Sequence, residues 1–412
     1  MSQIVFENAR LFDGMNGDCP EGMSVLVEDE VIREVSSKPI AAEGAYRIDV
    51  AGKTLMPGLI DLHIHAYASS VNFQKVEISG SPYNTAHAMR MLGHALNCGF
   101  TSVRDIGGGD WSLAQALSDG LFLGPRFFYA GKILSMTGGH GDFRFMSQSQ
   151  HEQAFCACGS VNGFAVLADG VDECLKAVRE ELRRGAHCIK IMGSGGVSSP
   201  LDPIWMNQYR EDEMRTIVQE CTERRTYVSA HCHPASAVRR SIEAGVRVIE
   251  HGTLMDAETA AFVADRGAYV VPTMAVIFAL TERGPKLGFP KASLDKLKVA
   301  YASAIEGMDH MRSAGVKVGY GTDLLGETYD EQCREFLHRR EVFEPIEILR
   351  QATSMAAEIM MHEGRLGCVQ PDAYADLIVV DGDPLKDIGL LAENGRRLDV
   401  IMRGGTLIKN RL

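Results

Sequence analysis

The chain has 412 residues, of which 45% are apolar and 23% charged, a globular balance with ample material for a core. Its net charge of −12, with no basic cluster, argues against nucleic acid and anionic membranes as partners. The start, Met1-Ser-Gln-Ile-Val-Phe-Glu, lacks a basic n-region and an apolar h-region, so no signal peptide is read there. The longest apolar stretch, 268–280, is broken by Pro272 and Thr273 and is too short to span a bilayer. The 10 cysteines are scattered; only Cys156 and Cys158 lie close together, at a spacing that fits neither a zinc knuckle nor a redox motif. A cytoplasmic protein with reduced thiols is the expectation.

In chain order, the first 50 residues alternate short β-type runs with turns, at 3–8, 23–28, 31–36 and 46–50. Short buried strands alternating with amphipathic helices follow. The strand candidates are 59–65, 100–105, 126–130, 188–192, 227–231, 248–250, 269–272 and 317–321, with helices among them at 84–96, 171–184, 211–225 and 235–244. The β pattern returns at 375–380, 399–403 and 406–409, the last two joined by the Gly404-Gly405 turn. Eight strands alternating with helices predict an α/β fold, a (β/α)8 TIM-type barrel, and the two chain ends pair into a small β-sandwich beside it. The division expected is 1–55 plus 367–412 for the sandwich and 56–366 for the barrel. The stretch 144–162 reads as a long loop over the barrel mouth.

In such a barrel the chemistry sits at the C-terminal ends of the strands. The first strand closes on Leu62-His63-Ile64-His65, and alternation of side chains points both imidazoles the same way. The fourth carries Lys190, the fifth ends in Ala230-His231, the sixth in Glu250-His251 and the eighth in Gly321-Thr322-Asp323. Four histidines, a lysine and an aspartate thus converge on one rim, and neutral imidazole is the commonest protein metal ligand. Lys190 is the odd member. Desolvation and nearby cations would depress its pKa, and the neutral amine would then add carbon dioxide to give a carbamate. A lysine that snorkels to the rim or pairs with an acid is the other reading.

These residues, with Val103-Arg-Asp-Ile-Gly-Gly108, Ser135-Met-Thr-Gly-Gly-His140 and Gly321-Thr-Asp-Leu-Leu-Gly326, resemble the amidohydrolase superfamily, most of all its prolidase-like branch of metal-dependent dipeptidases. Imidazolonepropionase-type relatives look similar at the first two histidines but lack the bridging lysine. The resemblance implies two divalent metal ions, zinc by default: His63, His65 and Asp323 on the first, His231 and His251 on the second. Carbamylated Lys190 and a hydroxide would bridge them. Asp323 would take the proton of the attacking hydroxide and pass it to the leaving nitrogen. A homo-oligomer is also implied.

His140, in a glycine-rich loop after the third strand, is a candidate to bind the substrate carbonyl or carboxylate. Tyr227, four residues before His231, is a second candidate for the carboxylate, an inward core residue being the other reading. Arg144 would offer a bidentate clamp, or else lie on the surface. His233 is expected past the strand end, without a metal. The expected reaction is hydrolysis of a dipeptide or N-acyl amino acid, with C-terminal proline as the leaving group and the apolar strand-seven loop 274–278 around it. The rivals are release of C-terminal Lys or Arg, paired by Asp142 or Asp202, and hydrolysis of another N-acyl or cyclic amide. More remote is a non-catalytic scaffold of the same fold.

Overall fold

The computed structural model describes residues 3–144, 163–199 and 201–412. Apart from Arg144, the expected mouth loop, with Cys156 and Cys158, lies outside the described residues.

All eight expected barrel strands are present. They are Leu59–Ile64, Phe100–Asp105, Arg126–Tyr129 continued by Ile133–Ser135, Ile189–Met192, Val228–Pro234, Val248–Leu254, Tyr269–Val271 and Lys317–Val318. Each is a nearly unbroken apolar run because helices cover the outer face and side chains fill the inner one. The third strand is broken where the sequence reading stopped it. Gly131 takes φ +75° there, and a Cβ on it would lie 2.1 Å from Glu181 Oε2. Before the break the strand pairs with the second, and after it Leu134 faces Ile191 of the fourth. The barrel closes through Leu62 N, which donates to Tyr320 O at 2.9 Å. An added strand, Ala165–Leu167, pairs with Ile133–Ser135 outside the ring.

The four expected helices run over Ser81–Asn97, Val171–Arg183, Glu211–Glu223 and Ala235–Glu243. In the second of these Cys174, Ala177, Val178 and Glu181 are buried, the i, i+3, i+4, i+7 stripe of a helix lying on a sheet. One expectation fails. Residues 274–278, read as a loop, open the helix Met274–Leu287. Its free N-terminal donors find a partner far away in sequence: Glu335 Oε2 accepts from Ala275 N at 2.6 Å. Thr273, at the N-cap, makes no side-chain cap hydrogen bond, its hydroxyl lying 2.8 Å from His251 Nδ1 instead.

Both chain ends build the β-sandwich. Gln3–Leu11 pairs with Met23–Glu28 and Tyr46–Asp49, then crosses at a bulge between Phe6 and Ala9, so that Arg10 and Leu11 pair with Thr54 and Leu55. Thr54–Pro57 continues the sheet to Leu377–Val380, Leu398–Arg403 and Thr406–Asn410. The layers share a core of their own, which includes Phe6, Val25, Ile48, Leu55, Leu377 and Val400. Arg126 of the barrel joins the two bodies by donating to Asp376 at 2.6 Å. No helix among the described residues is long and apolar enough to cross a membrane.

Behind the seventh strand lies a fully buried ion pair. Arg339 Nε donates to Glu335 Oε1, one Nη to Gln351 Oε1 and the other to Pro272 O, each at 2.7 Å. The pair therefore anchors both the end of that strand and the helix that follows it. Arg339→Met, which strands the Glu335 charge in the core, is expected to lower the unfolding free energy by about 3–5 kcal/mol in urea titration. A loss under about 1 kcal/mol would show that the pair contributes little.

Candidate metal centre and active site

The rim residues meet as the strand-end reading expected. His63 and His65 turn their Nε2 atoms to the same carboxylate oxygen, Asp323 Oδ1, at 3.3 and 3.2 Å. Ligand atoms of His63, His251 and Asp323 lie within 4.8 Å of one another. The His231 ring centroid sits 4.5 Å from that of His251. These five residues, Lys190, His140 and His233 line one open cavity of about 690 Å³ at the barrel mouth.

Three of the imidazoles are held by a partner on one ring nitrogen. Glu250 holds His63 Nδ1 at 2.7 Å, the Gly107 carbonyl holds His65 Nδ1 at 2.9 Å and Thr273 Oγ1 holds His251 Nδ1 at 2.8 Å. Such partners set the tautomer and turn the second nitrogen toward a metal. Asp323 and His251 sit at φ +56° and +70°, a left-handed backbone uncommon for non-glycine residues. The turn at His251 has a purpose in the geometry. Glu250 and His251 are neighbours on a strand and would face opposite ways, yet both side chains reach the site.

The nitrogens divide: burial opposes the His65 charge, but Asp323 outweighs it and raises that pKa, whereas others are lowered. Burial, reinforced by the surrounding rings, holds His231 and His251 well below the usual imidazole pKa, and His233 is pushed down to about 3. Burial also lowers Lys190 to about 8, although Glu250 and Asp323 pull the other way. Burial opposes the Asp323 charge, but the facing His63 and His65 outweigh it and keep the carboxylate ionised.

A divalent cation fits this donor set. Lys190 Nζ and His231 Nε2 are buried without any hydrogen-bond partner among the described residues, and the two residues are only 1% and 5% exposed. Orphaned polar atoms of this kind call for a ligand. The space beside them is kept open by Gly196, where a Cβ would lie 2.6 Å from His231 Nε2. Nitrogen and carboxylate donors together suit zinc, and also manganese, cobalt or iron.

Three expectations are corrected. Tyr227 is not at the cavity: its hydroxyl lies in the barrel floor, 3.3 Å from Arg104, among Cys188, Val248 and Tyr269. Four residues before His231 is simply one layer too deep. Arg144 is not at the cavity either, its fork being closed on Asp142 at 2.7 and 2.6 Å. His233 lies within the fifth strand, not past it, and lines the cavity, its ring stacked 5.0 Å from that of His251. Neither acid named for a cationic substrate is free at the rim, since Asp142 holds Arg144 and Asp202 lies buried behind His140.

Sequence reasoning missed Glu250, Arg104 and Asp61. Arg104 donates to Glu250 at 2.6 Å and to Leu62 O at 2.7 Å, and Asp61 Oδ2 accepts from Thr322 Oγ1 at 2.7 Å, fixing the turn that presents Asp323. The runs Ile-Asp-Leu, Val-Arg-Asp and Ile-Glu-His held the signal: charged residues inside otherwise apolar strands.

The chain belongs to the Amidohydrolase family, whose model matches residues 54–407. It is 30% identical to the ochratoxinase of Aspergillus niger over 96% of this chain and 84% of that protein. Among solved structures it resembles a prolidase complexed with N-methylphosphonate-L-proline, at 43% identity, TM-score 0.96 and 100% coverage of both chains. A Xaa-Pro dipeptidase with methionine bound in its active site is 26% identical at TM-score 0.87, covering 99% of this chain and 100% of that one. The similarity is thus to the prolidase-like branch, and the protein is an enzyme that hydrolyses amide or peptide bonds. Enzymes of this family generally use a divalent metal centre.

Glu250→Gln removes the charge that aims His63. The metal dissociation constant, read by competition with a chromophoric chelator, is expected to rise about 10- to 100-fold. Unchanged affinity would show that His63 orients without it.

Proposed function

We propose that this protein is a binuclear metallopeptidase that cleaves dipeptides or N-acyl amino acids and preferentially releases a C-terminal proline. The observation that carries the reading is the pair of orphaned, buried atoms, Lys190 Nζ and His231 Nε2, among imidazoles already aimed at one cavity. His63, His65 and Asp323 would hold one zinc and His231 and His251 the other. Lys190 would join them as a carbamate, formed when its neutral amine adds carbon dioxide and releases a proton. A pair of divalent cations supplies, when bound, a polarised carbonyl and a nucleophile from water near neutral pH.

The chain's own residues supply the rest. Asp323 accepts the proton of the attacking water on a carboxylate oxygen and delivers it to the leaving nitrogen, which cannot depart as an anion. His140 hydrogen-bonds the substrate carbonyl or carboxylate. His233 is a second polar group on the same wall, with its Nδ1 3.2 Å from Thr253 Oγ1. The remaining wall is apolar: Phe73, Ile133, Val276, Ile277, Leu280 and Leu297. Such a surface suits proline or another small apolar side chain and offers a lysine or arginine no counter-charge among its described residues. Similarity to a prolidase seen with a prolyl phosphonate supports proline. A second reading, hydrolysis of an N-acyl amino acid with a larger apolar group, is supported by the likeness to ochratoxinase and by the stacked Phe73 and Phe143 rings, 4.6 Å apart.

Dipeptides that differ only in the C-terminal residue, assayed on metal-loaded enzyme, test the assignment. Fastest kcat/KM with C-terminal Pro is expected, and a clear preference for Arg or Lys would overturn it. Asp323→Asn is expected to keep much of its metal and lose about 100- to 10,000-fold in kcat. Turnover near wild type in that variant would remove Asp323 from the proton transfer.

A further inference from the structure

Behind His140 lies a polar assembly that the catalytic reading does not use. Asp202, 2% exposed, turns a single carboxylate oxygen, Oδ2, onto three donors. They are His140 Nδ1 at 3.1 Å, the Gly196 backbone N at 3.0 Å and Gln208 Nε2 at 3.4 Å. Its other oxygen, Oδ1, is buried with no partner among the described residues. A carboxylate buried only to stabilise the fold would share donors between both oxygens, because each unmet one costs free energy.

Two further ties reach the same ring. Gln208 Oε1 accepts from the His140 backbone N at 2.9 Å, and Ser199 Oγ lies 2.9 Å from His140 Nδ1. Lys296, on the helix Lys291–Ser313, donates its Nζ to Asp202 O at 2.9 Å and to Ser199 O. The next residue, Leu297, lines the cavity.

The His140 ring and the Gly196 backbone are two walls of one gap. A Cβ on Gly196 would lie 2.4 Å from His140 Nε2, so the walls are already in near contact. One oxygen of Asp202 is bonded to both and therefore sets their separation and the tilt of the ring. We propose that Asp202 is a positioning residue: it presents the Nε2 edge of His140 to the substrate, while Lys296 holds the Asp202 backbone in register. This rests on the reading of His140 as a substrate contact. Asp202 itself touches no substrate.

A double-mutant cycle on the full-length, metal-loaded enzyme tests it, using whichever panel dipeptide turns over fastest. His140→Ala is expected to lower kcat/KM about 100-fold or more. Asp202→Ala is expected to lower it about 10- to 100-fold at unchanged metal content. Asp202→Asn, which keeps an acceptor oxygen for His140 and Gly196, recovers most of that loss. In the His140→Ala background, Asp202→Ala then costs less than about 3-fold, since its only route is gone. If Asp202→Ala does not fold, Lys296→Met replaces it, with a several-fold rise in KM that disappears in the same background. A full Asp202 effect on top of His140→Ala, or none in wild type, overturns the positioning role while leaving His140 in place. No effect of His140→Ala itself overturns the substrate contact, and the positioning role with it.

Discussion

A carboxylate buried at the heart of the barrel governs how the mouth is built. Glu250 is inaccessible to solvent, and an unpaired charge there would cost several kcal/mol. Burial alone would push its pKa up, but Arg104, His63 and Lys190 outweigh that and keep it ionised. Arg104 is in turn committed to the Leu62 carbonyl and packed against Tyr227, so the pair welds the first, second, fifth and sixth strands together. Ser229 supplies another donor. The remaining Glu250 oxygen aims His63, and through His63 and Asp323 the order passes outward to the rim. Stability and site geometry share the same bonds.

The rim above that centre is arranged for a cation. Burial and the neighbouring rings hold the pKa of His231, His233 and His251 low, and burial lowers that of Lys190. That of His65 is raised because Asp323 outweighs its burial, and Asp323 stays ionised. A cluster of positive charges in so small a space would repel itself, whereas neutral nitrogens around one carboxylate attract a divalent ion. Strain at His251 and Asp323 belongs to the same arrangement, since both left-handed turns bring a donor to a point that regular strand geometry would miss. The apolar wall across the cavity then shapes what enters beside the polar centre.

Most of the architecture was legible in the sequence because barrel strands and helices carry opposite periodicities. Short apolar runs alternated with amphipathic stretches, and all eight strands and the four expected helices appear in place. What escaped was local geometry that a distant partner decides. The third strand breaks at Gly131 to admit Glu181, and the helix at Met274 starts where Glu335 offers its cap. His233 shows a different failure: its spacing from His231 already put both on one face, and only the strand's length was misjudged.

Taken alone, the sequence determined the family, the barrel with its β-sandwich, and the set of donors at the strand ends. Those depend on residue type and on a period of two, both local properties. Only the tertiary structure decided which polar residues reach the cavity and which are consumed by a partner. Tyr227 and Arg144 have the right chemistry, but Arg104 and Asp142 reached them first. Asp202, offered as a rim acid, proved to be the clasp behind His140. Pairings of this kind join strands and loops tens of residues apart, and no local pattern encodes which charge a buried group will find.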